Sequence, residues 1–126
     1  MRLRISLVLA LASALFADWP QFRGNALLTG VATQPVPQRL KLLWTYESGD
    51  SIESSPAVVD GVVYFGNQAG ELHAVNLSDG KVRWKYKAKE AIAESSPTVA
   101  QGIVVIGDLS GYVHGVNAKD GKGLWT

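Results

Sequence analysis

Residues 74–84 read AVNLSDGKVRW, and residues 115–125 read GVNAKDGKGLW. The second stretch follows the first at an offset of forty-one residues, with Asn, Asp-Gly-Lys and Trp in the same places. Extending the comparison outward, Glu53–Trp84 aligns with Glu94–Trp125 without a gap, at 16 identities in 32 positions. The identities fall on the ESSP blocks, Gly61/Gly102, Gly66/Gly107, Gly70/Gly111, His73/His114, Asn76/Asn117, Asp79/Asp120 and the Trp pair. Trp44 precedes Trp84 by forty residues and extends the Trp position upstream. A repeat of this period marks a stack of supersecondary units, each burying its apolar face against the next.

Each unit reads as four short strands. Ser55–Val59, Val62–Gly66, Glu71–Asn76 and Lys81–Tyr86 are rich in Val, Tyr, Phe and Trp. They are parted by the turn pairs Asp60-Gly61, Gly66-Asn67, Ala69-Gly70 and Asp79-Gly80. Asp-Gly between such runs signals a hairpin, because glycine takes the positive φ that the turn requires. Within the fourth run, Val82, Trp84 and Tyr86 are expected on one face, with Lys81, Arg83, Lys85 and Lys87 on the other. Four antiparallel strands in about 40 residues is the size of a β-propeller blade. A β-sandwich of two copies is the alternative, but a sandwich has no need of a fixed loop-to-loop offset. The expected fold is all-β, with about two four-stranded antiparallel blades of a β-propeller.

The rest of the chain frames the repeat. The 126 residues carry 47 % hydrophobic and 18 % charged side chains, an ordinary globular balance. MRLR, the apolar run Ile5–Phe16 and small residues up to Ala17 read as a signal peptide over residues 1–17. That run is too short to span a bilayer, which takes about 20 residues, so no membrane span is expected after cleavage. Without Arg2 and Arg4, ten basic side chains face eleven acidic ones, and no concentrated basic face points to nucleic acid. There is no cysteine, so the exported chain draws its stability from packing rather than disulfides. The expected location is periplasmic or secreted. Residues 18–39 read as a leader segment and 40–126 as a partial propeller. Its parts are an orphan outer strand at 40–47, a first blade at 53–87 and a second at 94–126.

The pattern SSPxVxxGxVxxGxxxGxxHxVNxxDGKxxW resembles the repeats of the pyrroloquinoline-quinone (PQQ)-like β-propellers of secreted bacterial proteins, and DWPQFRGN (Asp18–Asn25) looks like the opening of such proteins. The resemblance implies a ring of seven or eight blades and a tryptophan-docking motif. Ala74, Asn76, Gly80 and Trp84 fit it, with Asp79 in its Thr/Ser slot. Asn117, Gly121 and Trp125 fit in the second copy, where Gly115 replaces Ala and Asp120 takes the Thr/Ser slot. It also implies that Leu40–Tyr46 (LKLLWTY) is the last strand of a closing blade, whose partners lie far along the chain. Two blades cannot close a ring, so the expectation is the N-terminal piece of a longer product. A genuine two-blade protein would have to self-associate.

Several side chains invite chemistry. His73 and His114 recur at one position, but a metal site needs several convergent ligands, and a slot accepting a polar ring is the simpler reading. Asp79 and Asp120 suit turn geometry. Ser54, Ser55, Ser95 and Ser96 have no histidine base placed beside them by any motif. Glu53 and Glu94 precede the SSP blocks, where the innermost strands begin, and are the charged pair to test for facing a channel ligand. No catalytic, cofactor-binding or metal residue is assigned in this segment.

The reading is therefore a scaffold that binds a protein or small-molecule ligand on its ring, leaning away from an enzyme. The alternative that the resemblance implies is the N-terminal part of a PQQ-dependent alcohol or sugar dehydrogenase. PQQ and calcium would enter only under that alternative.

Overall fold

A computed structural model describes residues 18–126. The expected signal peptide, residues 1–17, lies outside the described residues. Among the described residues, eight strands form two sheets of identical plan. The first contains β1 (Ala57–Val59), β2 (Val62–Gly66), β3 (Glu71–Asn76) and β4 (Val82–Lys87). The second contains β5 (Thr98–Ala100), β6 (Ile103–Gly107), β7 (Val113–Asn117) and β8 (Gly123–Trp125). Both are antiparallel, in the orders β1-β2-β3-β4 and β5-β6-β7-β8. These are two propeller blades.

β1 and β5 begin later than expected, just after Pro56 and Pro97. Proline has no N–H to give to a ladder and is confined to strand starts and edges. Asp60 and Gly61 both take positive φ (50° and 71°), as a two-residue hairpin turn requires. The Asp79-Gly80 turn is wider. Asn76 N–H bonds to Lys81 C=O at 2.8 Å and Gly80 N–H to Asn76 C=O at 2.9 Å, leaving four residues in the loop. Asn117, Lys122 and Gly121 repeat the arrangement in the second blade at 2.8 and 2.9 Å.

The strict alternation expected over Val82–Tyr86 is broken. Ala74 pairs with Trp84 and Val75 with Val82, so Arg83 is an extra residue. Such a bulge twists a strand and re-aims its side chains. Trp84 is 9 % exposed, whereas Val82 is 48 % exposed rather than sharing its face. The same bulge recurs at Leu124, between the Gly115–Trp125 and Val116–Gly123 pairs.

One apolar cluster runs through both blades. Tyr64, Leu72, Ala74 and Trp84 from the first meet Val99, Val104, Ile106 and Val116 from the second. Ile92, on the connection between blades, is buried against Gly66, where a β-carbon would overlap its side chain. Burying a side chain of this size contributes roughly 1.5–3 kcal/mol. The connection also bonds to both blades, through Ala88 N–H to Gly70 C=O and Leu109 N–H to Ala91 C=O, at 2.8 and 2.9 Å.

Leu40–Tyr46 forms no strand among the described residues. Leu42 is 82 % exposed, while Trp44 and Tyr46 turn onto the first blade and are half-buried. A strand needs a neighbouring ladder, and both described sheets are complete without this segment.

Candidate functional site

The seam between blades is where the repeated residues converge. Trp84, held on β4 by its bulge, sends its indole Nε1–H to Ala118 C=O at 3.0 Å. Its ring lies over Gly121, where a β-carbon would come within 2.7 Å of it and φ is +73°. Only glycine allows both the approach and that backbone. Trp44 meets the first blade in the same way. Its Nε1–H bonds to Leu77 C=O at 2.8 Å, and a β-carbon on Gly80 would lie 2.7 Å from its ring.

The tyrosine two residues beyond each Trp makes a second crossing. Tyr46 Oη lies 2.9 Å from His73 Nδ1, and Tyr86 Oη lies 2.9 Å from His114 Nδ1. Both histidines are buried on the third strand of the receiving blade. This pairing was not foreseen. Its sequence signal is Trp-x-Tyr at 44–46 and 84–86, each followed by one histidine at the shared repeat position.

The far nitrogens of the two rings meet different chemistry. Asn67 Oδ1 accepts Glu71 N–H at 2.9 Å, and Asn67 Nδ2 faces Ser48 C=O at 3.2 Å. This orientation fixes Nδ2 as the donor to His73 Nε2, 3.1 Å away. With Nδ2 as donor, the neutral His73 ring carries its proton on Nδ1 and donates to Tyr46, against the competing pull of Glu71 Oε2, 3.4 Å from the same Nε2. In the second blade Asp108 stands in place of Asn67. Its carboxylate accepts from the N–H groups of Ser110 and Tyr112 at 3.0 and 3.1 Å and from those of Lys89 and Glu90 at 3.2 and 3.4 Å. An ionised carboxylate only accepts, so His114 Nε2, 2.9 Å from Asp108 Oδ2, is the donor. In the neutral His114 ring Nδ1 then accepts from the Tyr86 hydroxyl. These hydrogen-bond assignments give the equivalent histidines opposite tautomers and reverse the tyrosine roles.

Protonation follows the same partners. Burial, then the nearby Lys85 ammonium, push His73 below the usual imidazole range against an opposing pull from Glu71. Burial raises the Asp108 carboxyl, but His114, Ser110 and the surrounding N–H groups outweigh it and hold the group well below the usual carboxylate range. Glu71 is likewise pushed up by desolvation yet held low by Lys85, His73 and Asn67.

The other sequence candidates lie apart from this pair. Ser54 Oγ accepts Gly66 N–H at 2.9 Å and donates to Gly66 C=O at 3.1 Å. Ser95 Oγ accepts Gly107 N–H at 2.9 Å, and Ser96 Oγ accepts Ser55 N–H across the seam at 3.0 Å. Asp79 and Asp120 accept the N–H of Lys81 and Lys122 inside their own loops at 3.0 and 3.2 Å. Asn76 and Asn117 close those same loops. Glu53 and Glu94 are exposed on the segments leading into β1 and β5, which lie side by side. Trp125 is 47 % exposed and folds over Gly115, in the space that the Ala74 methyl fills in the first blade. Between the blades a cleft of about 520 Å³ has a lining of mixed polarity, with Asp60, Val62 and Arg83 on one side and Gln101, Ala118 and Lys119 on the other.

The chain matches known proteins over this repeated region. A family model described as outer membrane protein assembly factor BamB matches residues 38–126. Part of the chain is 39 % identical over 51 residues to a 1-butanol dehydrogenase (cytochrome c) of Thauera butanivorans, which covers 39 % of this chain and 7 % of that protein. The fold resembles quinohemoprotein alcohol dehydrogenase of Comamonas testosteroni, with a TM-score of 0.74 at 24 % identity over 86 % of this chain and 19 % of that one. It also resembles BamB of Moraxella catarrhalis, with a TM-score of 0.58 at 23 % identity over 66 % of this chain and 26 % of that one. The chain therefore spans a small part of the length of each.

Proposed function

Because the chain belongs to the PQQ-repeat propeller family described as outer membrane protein assembly factor BamB, we propose that it acts outside the cytoplasm as a rigid binding scaffold rather than as a catalyst. The observation behind this reading is the use of the repeated polar groups. The serines, histidines and aspartates that recur between units are engaged in loops, strand brackets and seams. The docking residues Ala74, Asn76, Asp79, Gly80 and Trp84, with Gly115, Asn117, Asp120, Gly121 and Trp125, join unit to unit under this reading. The ligand, a protein or a small molecule, is then met on the ring, with Glu53 and Glu94 at its channel side. Further blades, from more of the same product or from other copies, close that ring. Leu40–Tyr46 serves as the outer strand of the closing blade. Residues 1–17 act as the export signal.

A second reading is favoured by the identity to the butanol dehydrogenase. In it the chain is the N-terminal part of a PQQ-dependent alcohol or sugar dehydrogenase. That quinone is a tricarboxylic acid. The segments Ser51–Pro56 and Ile92–Pro97 carry Glu53 and Glu94 and no lysine or arginine. Two exposed carboxylates would need a cation such as calcium between them and an anionic quinone.

The readings part in one assay. The whole gene product is expressed, incubated with PQQ and calcium, and tested for dye-linked oxidation of primary alcohols. The scaffold reading expects neither retained quinone absorbance nor turnover. Turnover that depends on added PQQ would establish the dehydrogenase instead.

A further inference from the structure

The free edge of the first sheet is not bare. Trp19 N–H bonds to Val58 C=O at 2.7 Å, and Val58 N–H bonds to Trp19 C=O at 2.8 Å, an antiparallel bridge on the side of β1 away from β2. Asp18 Oδ1 accepts Asp60 N–H at 3.2 Å, the next donor facing that way. The chain then crosses to the second sheet, where Pro20 C=O accepts Val99 N–H at 2.8 Å. Val58 and Val99 are equivalent repeat positions, forty-one residues apart. Two consecutive residues, Trp19 and Pro20, thus bond to the same edge position of two successive blades, and Asp18 bonds beside it on the first.

The sequence suits this crossing. A residue before proline is confined to extended backbone, which is what pairing of Trp19 with β1 requires. Pro20 has no N–H, so no donor is stranded as the chain passes between sheets. The Trp19 ring packs on Gly24, where a β-carbon would lie 2.7 Å from it. Unpaired strand edges invite pairing with other chains, and proteins cover them. Adding an extended segment to such an edge is a general mode of peptide recognition.

We propose that the β1 and β5 edges form one acceptor for an extended peptide and that Asp18–Pro20 is its resident occupant, stitching the two blades. This interaction surface is independent of the scaffold and dehydrogenase readings. Its partner class is a short extended peptide carrying an Asp-Trp-Pro core.

Residue-resolved amide hydrogen exchange on the full chain tests the proposal. Deleting Asp18–Pro20 is expected to speed exchange at both Val58 and Val99 by about tenfold or more, with the β2–β3 ladder unchanged. Adding a synthetic peptide of residues 17–25 to the deletion variant is expected to restore protection at both amides, while a scrambled peptide restores neither. Should the deletion fail to fold, Trp19→Pro removes the donor to Val58 C=O and is expected to loosen the same edge. Unchanged exchange at Val58 and Val99 in the variants would overturn the proposal, as would peptide protection confined to one of the two valines.

Discussion

Tyr86 Oη lies 2.9 Å from His114 Nδ1 across the seam between blades, and the same bond joins Tyr46 to His73. The histidine is buried in both cases, so its ring nitrogen has no water to fall back on. Removing the phenol strands that nitrogen. Tyr86→Phe is expected to cost about 1–3 kcal/mol, the usual cost of leaving a buried polar group unpaired, measured as a shift in urea midpoint without a change in slope. Tyr46→Phe should cost a similar amount.

The tautomers give a spectroscopic prediction. Nitrogen NMR of the neutral rings is expected to find the proton on Nδ1 in His73 and on Nε2 in His114. Asn67→Asp should move the His73 proton to Nε2, because a carboxylate cannot donate. A shared tautomer in the unaltered chain would refute this reading of the two seams.

The pH profile follows from the direction of each shift. His73 is held below its unfolded value, so the unfolded chain takes up the proton first. The stability His73 contributes is present above about pH 6.5 and is lost as pH falls through that value toward its folded pKa. Asp108 and Glu71 are also lowered, and their contribution is lost below about pH 4. Denaturant titrations should show two successive losses on acidification. Asp108→Asn should flatten only the lower one, and a single loss confined to the lower range would contradict the placement of His73.

Gly66 gives a packing prediction. A β-carbon there would overlap Ile92, so Gly66→Ala is expected to cost about 1–3 kcal/mol by overpacking. Shortening Ile92 to Ala in the same chain should recover part of that loss, and calorimetry of the single and double variants measures the recovery.

The blade plan was legible in the sequence because short strands and glycine turns leave local signals. β2 and β3 match their expected bounds, and β1 starts late only because of Pro56. The bulge at Arg83 was not legible, since a period-two pattern in a single strand cannot reveal an extra residue opposite its partner. The histidine partners were missed for a related reason. Tyr86 and His114 lie twenty-eight residues apart and meet only when two blades stack. The Asn67-to-Asp108 difference was visible as letters, yet its effect on the tautomers depends on the orientation of Asn67, which Ser48 and Glu71 set through tertiary contacts.

The central claim is that Trp84 joins the first blade to the glycine loop of the second. A double-mutant cycle with Trp84→Ala and Gly121→Ala tests it most directly, read by urea unfolding. The β-carbon added at Gly121 clashes only while the indole is there, at 2.7 Å. The cycle should therefore show the Gly121→Ala penalty shrinking by about 1 kcal/mol or more when Trp84 is absent, well outside the limits of additivity for independent sites. Two penalties that simply add, within about 0.3–0.5 kcal/mol, would contradict the claim that Trp84 is seated on Gly121 across the seam.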